Sequence, residues 1–384
     1  MPSERAMATT PFAAMDVLER ASEMEGVVHM EVGEPDFEPP AAATEAAIAS
    51  LRAGDIDYTN SRGKLELREE IAAYYDRNYG VDVSPDRILV TPGSSPAFLV
   101  TMLDVVNPGE EVVLTDPYYA PYPNFVTQAD GEVRTAPLDP EANFEPRVED
   151  FARTVGEDTA AIVVNSPQNP TGAVMSGDSL AELADVAARA DARLVSDEVY
   201  HGLAFDAEAH SVLEYTDEAF VLDGVSKRYG MTGWRLGWVV APESEVEAMN
   251  RLVQNVLICA PNFVQDAATA ALREGTDWLA DIRETYRERR DLLLAAAEHW
   301  GIDMGYTPSG AYYLLLDVGE LPGDAFEVAD RFLEEANVAM TPGPDFGELA
   351  EDTLRASFAT STADIELAIE RLDEHLEEEL AEVR

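Results

Sequence analysis

The chain has 384 residues, of which 46% are hydrophobic, so it can bury a large core and is long enough for two domains. Its formal net charge is -49, from 75 acidic and 26 basic side chains. That much negative charge makes DNA, RNA and anionic membranes poor partners.

Short β-branched runs recur between helical patterns in the first two thirds of the chain. They predict strands at residues 87–91, 111–115, 160–164, 192–196, 219–223 and 236–240. The alternation with helix-like segments, such as 179–190, predicts an α/β domain with a mostly parallel sheet flanked by helices. Ligands are then expected at the carboxyl ends of the strands.

The pattern changes after residue 276. A long amphipathic helix is predicted at 277–300, followed by strands at 311–316 and 353–358 and helices at 325–336 and 362–380. We expect a large α/β domain at 36–276 and a smaller α+β domain at 277–384. The N-terminal arm, residues 1–35, is expected to join the smaller domain.

Nothing in the sequence marks secretion or a membrane span. The first residues lack a continuous apolar stretch, and the apolar stretch from Met249 to Leu272 is interrupted by polar side chains. Cys259 is the only cysteine, which excludes an intramolecular disulfide. A cytoplasmic location is therefore expected.

Lysine is the rarest charged residue here. Of the 26 basic residues only Lys64 and Lys227 are lysines, so chemistry that needs a side-chain amine has two candidates. Lys227 follows predicted strand 219–223 and lies in a turn between small residues, shortly before Arg235. A lysine at a strand end is often only solvated, but in a chain with so few lysines we favour Lys227 as a functional amine.

The segment from Gly224 to Gly237 resembles the lysine signature of class I/II aminotransferases, which are pyridoxal phosphate enzymes of fold type I. Other motifs of that family, in its aspartate aminotransferase-like form, follow in order over nearly the whole chain. They are Gly33-Glu-Pro-Asp36, Tyr58 with Gly63, Gly93-Ser-Ser95, Tyr119, Asn165 to Gly172, Asp197-Glu-Val-Tyr200 and Arg355-Ala-Ser-Phe358.

The resemblance implies that pyridoxal 5'-phosphate is the cofactor and that Lys227 is its covalent anchor and the general base. Asp197 is expected beside the protonated pyridine nitrogen, although an aspartate after a strand can also cap a helix. Asn169 and Tyr200 are expected at the phenolic oxygen. Tyr119 is expected to stack on the ring, and no metal ion is expected.

The phosphate is expected where a helix starts after strand 87–91, because free N–H groups at a helix N-terminus attract an anion. The implied ligands are Gly93, Ser94, Ser95, Ser226 and Arg235. Gly224 departs from the family pattern, since many relatives have a phosphate-binding serine there. Another donor must compensate.

For the substrate, the resemblance implies that Arg355 binds the α-carboxylate, with Gly33 and Asn169 beside it. Tyr58 matches a residue that reaches the phosphate of a neighbouring subunit, which implies a homodimer. Arg62, near Tyr58, could reach a distal carboxylate across that interface, or it could be an ordinary surface arginine.

The expected reaction is transamination between an L-amino acid and a 2-oxo acid, most simply of the aspartate or glutamate type. Alternatives are an aromatic or alanine aminotransferase, or carbon–sulfur β-elimination on the same fold. A cofactor-sensing DNA-binding regulator is disfavoured, because the roughly 30 residues before Gly33 are not basic. The even acidity resembles that of haloarchaeal proteins, in which molar salt screens repulsion beyond roughly 3 Å.

Overall fold

The computed structural model describes residues 1–274 and 277–383. In these ranges the strands are β1 Val28–His29, β2 Ile88–Thr91, β3 Glu111–Asp116, β4 Glu132–Pro137, β5 Thr159–Asn165, β6 Arg193–Asp197, β7 Phe220–Gly224, β8 Gly237–Val240, β9 Tyr313–Asp317, β10 Val338–Ala339, β11 Thr341–Pro342 and β12 Thr353–Ser357. The α-helices are α1 Glu4–Ala8, α2 Ala13–Ser22, α3 Ala41–Ala53, α4 Leu65–Tyr79, α5 Ser94–Val105, α6 Tyr122–Gln128, α7 Val148–Thr154, α8 Gly177–Arg189, α9 Val246–Val256, α10 Asn262–Glu274, α11 Asp277–Trp300, α12 Ala325–Glu334 and α13 Thr362–Val383.

A seven-stranded sheet forms the centre of the molecule, in the order β2-β8-β7-β6-β5-β3-β4. Only β8 runs antiparallel to its neighbours, so the predicted α/β fold with a mostly parallel sheet is confirmed. The six predicted strands lie within one residue of their predicted bounds. The sequence did not predict β4, an edge strand whose side chains are mostly exposed.

Apolar side chains cover both faces of this sheet. Because successive strand residues point to opposite faces, neighbouring residues enter different apolar clusters, as Leu89 and Val90 do on β2. The same holds for Ile162 and Val163 on β5. Burial on both faces explains why these strands are continuous β-branched runs without polar alternation.

The C-terminal part forms a separate antiparallel sheet in the order β11-β12-β9. A separate two-stranded sheet pairs β1 with β10 in parallel, and Val28 lies opposite Val338. Residues before Phe12 contact a helix next to the large sheet. The backbone N–H of Thr10 donates to the side chain of Asn124 in α6. The boundaries of the two domains stay a prediction.

The fold brings the predicted site segments to one edge. The parallel strands β2, β3, β5, β6 and β7 all end on the same side of the sheet. The segments with Gly93, Tyr119, Asn169, Asp197 and Lys227 follow these five ends. None of the helices in the described ranges has the length and apolar character that a membrane crossing requires.

Candidate active site

Lys227 lies in the loop between β7 and β8. Its Nζ donates a hydrogen bond to the carbonyl oxygen of Gly33, at 2.9 Å. The phenol of Tyr312 donates to the same oxygen, at 3.1 Å. A side chain at position 33 would overlap the phenol oxygen of Tyr313, so only glycine fits. Three distant segments of the chain therefore meet at the Gly33 carbonyl oxygen.

Asp197 ends β6 and is 8% exposed. Its carboxylate accepts hydrogen bonds from the phenol of Tyr122 (2.7 Å) and from the backbone N–H of Val199 (3.1 Å). Burial raises the pKa of Asp197 to about 6, against the opposing effects of these bonds and of the Lys227 charge. A turn and not a helix follows, so helix capping does not explain this aspartate.

Asn169 and Tyr200 belong to one buried hydrogen-bonded chain. The Asn169 amide donates to the Tyr200 phenol at 3.4 Å, and its own oxygen accepts from Arg355 at 3.1 Å. The phenol oxygens of Tyr200 and Tyr313 lie 3.1 Å apart. The side chains predicted for the phenolic oxygen and for the substrate carboxylate are thus in direct contact.

Arg355 is 2% exposed on β12. One terminal nitrogen of its guanidinium contacts the Glu31 carbonyl, and the group lies over the Tyr313 ring, 4.6 Å from the centroid. Its Nε is buried and has no hydrogen-bond partner in the described parts of the chain. A buried donor without an acceptor is costly, so this position suits a bound carboxylate.

The start of α5 brings together groups that can serve as ligands of an anion. Gly93 has φ +108° and comes directly before the helix, and a Cβ there would overlap the Arg235 guanidinium. Arg235 donates to the Thr232 carbonyl at 2.9 Å. The hydroxyls of Ser94 and Ser95 have no hydrogen-bond partner among the described residues. Free N–H groups, hydroxyls and a permanent cation are a suitable ligand set for a phosphate.

The packing explains why Gly224 replaces the expected serine. Gly224 pairs with Gly237 across β7 and β8, and a Cβ at position 224 would lie 2.9 Å from the Leu236 carbonyl oxygen. No side chain fits there. Ser226 is 6% exposed, and its hydroxyl has no hydrogen-bond partner within the described ranges, so it is free to donate.

Tyr119 lies after β3 and packs beside Tyr122, whose phenol donates to Asp197. Its ring is 5.3 Å from that of Tyr122 and 6.0 Å from that of Phe12, edge-on in both cases. Burial raises the pKa of Tyr119, which keeps its phenol neutral. The sequence did not identify Tyr122 as a site residue, although its place in an aromatic cluster after a strand end was a usable signal.

Two predicted residues lie apart from this group. Tyr58 is 82% exposed and forms no hydrogen bond in the described chain. The Arg62 guanidinium contacts the Asp86 carbonyl, and its NH1 lies 3.9 Å from the Asp86 carboxylate. Burial lowers the pKa of Arg62. In its own subunit, Arg62 is thus engaged with Asp86.

The sequence also missed the tyrosine pair Tyr312 and Tyr313. Both are buried, and their rings are 4.8 Å apart. They stand in predicted strand 311–316, where two successive tyrosines after a Ser-Gly turn look like ordinary core residues. Only the contact with Gly33 reveals their place in the site.

This residue set fits pyridoxal phosphate: a lysine amine, a buried carboxylate, a phosphate cradle and a buried arginine with an unpartnered donor occur together. The sequence profile of the family Aminotransferase class I and II matches residues 25–372. The (5-formylfuran-3-yl)methyl phosphate transaminase of Methanocaldococcus jannaschii is 34% identical over 384 residues, covering 98% of this chain and 100% of that protein. The aspartate/prephenate aminotransferase of Thermus thermophilus is 36% identical over 377 residues, covering 96% and 97%.

A solved structure supports the same family. The aspartate aminotransferase of Thermus thermophilus, solved with maleate, superposes with a TM-score of 0.93 at 36% identity, covering 97% of this chain and 98% of that chain. The chain belongs to the class I and II aminotransferases. It is therefore an aminotransferase of fold type I that uses pyridoxal phosphate, with an amino acid and a 2-oxo acid as its substrates.

Proposed function

We propose that this aminotransferase works at the site around Gly33, with Lys227 as cofactor anchor and general base. The observation that carries the proposal is that the Lys227 amine donates to the Gly33 carbonyl, while Arg355 contacts the Glu31 carbonyl two residues earlier. Arg355 also donates to Asn169, which donates to Tyr200. A bound pyridoxal phosphate supplies an electron sink that stabilises negative charge at the substrate α-carbon. The protein's own residues supply binding, orientation and proton transfer.

Arg355 fixes the substrate by its α-carboxylate. The unpartnered Nε gives the carboxylate a buried, charged donor, and a carboxylate held by a guanidinium has a defined orientation. Arg355 contacts the Glu31 carbonyl and Lys227 the Gly33 carbonyl, so a substrate held by Arg355 would lie close to the Lys227 amine. The Lys227 amine would accept the α-proton at Nζ and deliver it to the C4′ atom of the bound cofactor.

Asp197 supports the same step from the end of β6. Its carboxylate is buried and forms no ion pair with a cation of the described chain. Burial raises its pKa, which favours the protonated form. A protonated ring nitrogen beside it provides the missing positive charge and keeps the carboxylate ionised. Asn169 and Tyr200 then hold the phenolic oxygen.

For the side chain of the amino donor, the surroundings favour an apolar or aromatic group over the second carboxylate of aspartate or glutamate. Lys227, Arg235 and Arg355 already serve the cofactor and the α-carboxylate, and Arg62 is engaged with Asp86. Phe12 and Tyr119 supply aromatic surface. The relatives named above act on an aspartate-type donor and on a furan phosphate, so similarity alone does not decide this point.

The active unit is proposed to be a homodimer. Tyr58 is highly exposed, and large apolar side chains in the sequence around it are exposed as well: Ile48, Leu51, Ile56 and Leu65. Exposed apolar residues that lie close together favour association. Adaptation to concentrated salt, which the net charge of -49 suggests, stays a prediction.

Replacing Lys227 with alanine tests the central proposal. We expect Lys227→Ala to abolish amino transfer and the visible absorbance of the anchored cofactor, because no other amine lies at the site. Lys64→Ala is the matched control, since Lys64 is paired with Asp266 at 2.6 Å and should leave both signals intact. Amino transfer by purified Lys227→Ala protein would contradict the proposal.

The donor side chain is tested with a panel of amino acids and 2-oxoglutarate. We expect kcat/KM to be higher for aromatic and apolar donors than for aspartate. Arg62→Ala should lower the activity on aspartate and on alanine equally if Arg62 serves only its contact with Asp86. A loss confined to aspartate would restore Arg62 as the ligand of a distal carboxylate. Release of thiol and pyruvate from cysteine-type donors, without keto-acid dependence, would indicate β-elimination instead.

A further inference from the structure

The Gly33 carbonyl oxygen accepts two hydrogen bonds from two distant segments of the chain. Lys227 lies 194 residues away in sequence and donates at 2.9 Å. Tyr312 lies 279 residues away and donates at 3.1 Å. A carbonyl oxygen has two lone pairs, so both donors can bind at once without competing for one direction.

We propose that Tyr312 is a positioning residue for Lys227, acting through the Gly33 peptide. Glycine permits backbone rotations that other residues do not, and position 33 must be glycine because Tyr313 fills the space of a side chain. The Tyr312 phenol holds this permissive peptide in one orientation. The carbonyl therefore points at the Lys227 amine.

This arrangement matters whenever the Lys227 amine is free. A primary amine that acts as a base must aim its lone pair at the substrate α-hydrogen, and a fixed acceptor for one of its N–H bonds sets that direction. If the Gly33 carbonyl turns away, the amine stays present but is aligned for less of the time. This catalytic consequence rests on the proposed function, whereas the docking of Lys227 on Gly33 does not.

The surroundings of Tyr312 provide a matched control. Tyr312 is fully buried and packs against Tyr286, whose ring lies 5.4 Å away and is also fully buried. The Tyr286 hydroxyl has no hydrogen-bond partner in the described ranges. Tyr312→Phe and Tyr286→Phe therefore remove the same atom from neighbouring buried rings, but only the first removes a bond to Gly33.

The first test needs no catalysis. The full chain without cofactor is treated with an amine-acylating reagent, and modification of Lys227 and Lys64 is followed separately by mass spectrometry after digestion. We expect Tyr312→Phe to raise the modification rate of Lys227 roughly 2- to 10-fold, the worth of one neutral hydrogen bond, because the amine is docked for less of the time. The rate at Lys64 should not change, and Tyr286→Phe should match the wild type.

The second test uses the holoenzyme in a single turnover with an amino donor, unlabelled or deuterated at the α-carbon. In Tyr312→Phe the proton-transfer step should slow roughly 2- to 10-fold, with a larger isotope effect and an unchanged KM. An unchanged or slower modification of Lys227, an equal rise at Lys64, or the same effects in Tyr286→Phe would overturn the proposal. If the wild type fails to transfer amino groups while the modification result holds, the proposed function fails and the docking of Lys227 stands.

Discussion

Two buried aspartates lie at or next to the ends of neighbouring strands of the large sheet, and they have different surroundings. Asp197 ends β6, and Asp223 lies at the next-to-last position of β7. Burial raises the pKa of each to about 6. Asp223 forms a fully buried ion pair with Arg228 and accepts from the Gly224 N–H at 2.6 Å. Asp197 accepts from Tyr122 and Val199, which are both neutral.

Under the proposed function, this difference separates a structural carboxylate, Asp223, from a functional one, Asp197. The charge of Asp223 is compensated inside the protein by Arg228, whose guanidinium also lies 4.5 Å from the centre of the Tyr74 ring. Asp197 has hydrogen bonds, and the Lys227 charge acts on it, but it forms no ion pair with a cation of the described chain, so a ligand with a positive nitrogen would complete it. Similar burial and a similar pKa therefore do not imply the same role. The group that pairs with each carboxylate decides its role.

The largest expected effect follows from Asp197→Asn. The amide keeps the size and part of the hydrogen bonding but cannot stabilise a protonated ring nitrogen, so kcat should fall roughly 10²- to 10³-fold. Steady-state kinetics measures this loss, and visible absorbance shows whether the cofactor is still anchored on Lys227. Wild-type kcat in Asp197→Asn would remove Asp197 from the mechanism and erase the contrast with Asp223.

The reverse outcome is expected for Asp223→Asn. This change leaves the Arg228 charge buried and unpaired, so the free energy of unfolding should fall by about 3–5 kcal/mol, while kcat of the folded fraction stays close to that of the wild type. Denaturant unfolding measures the loss. The double variant Asp223→Leu/Arg228→Met should recover much of it, because both charges are removed together. A single variant as stable as the wild type would show that the ion pair is not structural.

A smaller, pH-dependent effect is expected in the cofactor-free protein. With its pKa near 6, folded Asp197 keeps a proton that the unfolded chain releases near pH 4. The wild type should therefore lose stability relative to Asp197→Asn as the pH rises from about 4 to above 6, by up to roughly 3 kcal/mol. Denaturant unfolding of both proteins across this range tests the effect. A stability difference that does not vary with pH would contradict it.

Much of the site could be predicted from sequence because its residues follow strand ends in fixed order. The turn after predicted strand 219–223 and the scarcity of lysine led to the prediction that Lys227 is the functional amine, and the proposed function retains it. A helix was predicted after strand 87–91, and α5 does start there, at Ser94. These are local features, and local features are visible in sequence as periodicity and composition.

Other residues escaped prediction because their roles depend on distant partners. Tyr312 meets Gly33 across 279 residues, and Tyr122 meets Asp197 across 75. Within this chain Arg62 contacts the Asp86 carbonyl, and its reach toward a distal carboxylate across a dimer interface stays a prediction. No local pattern distinguishes a tyrosine such as Tyr312 or Tyr122 from a core residue.

The sequence by itself determined the mostly parallel sheet, the order of the site segments along its edge and the choice of Lys227, since each depends on short-range patterning. The tertiary structure alone decided which aspartate is compensated internally, why no side chain fits at Gly224, and that Tyr312 shares the Gly33 carbonyl with Lys227. The physical reason is that burial, close packing and shared acceptors are properties of the space between segments, and that space exists only after the chain has folded.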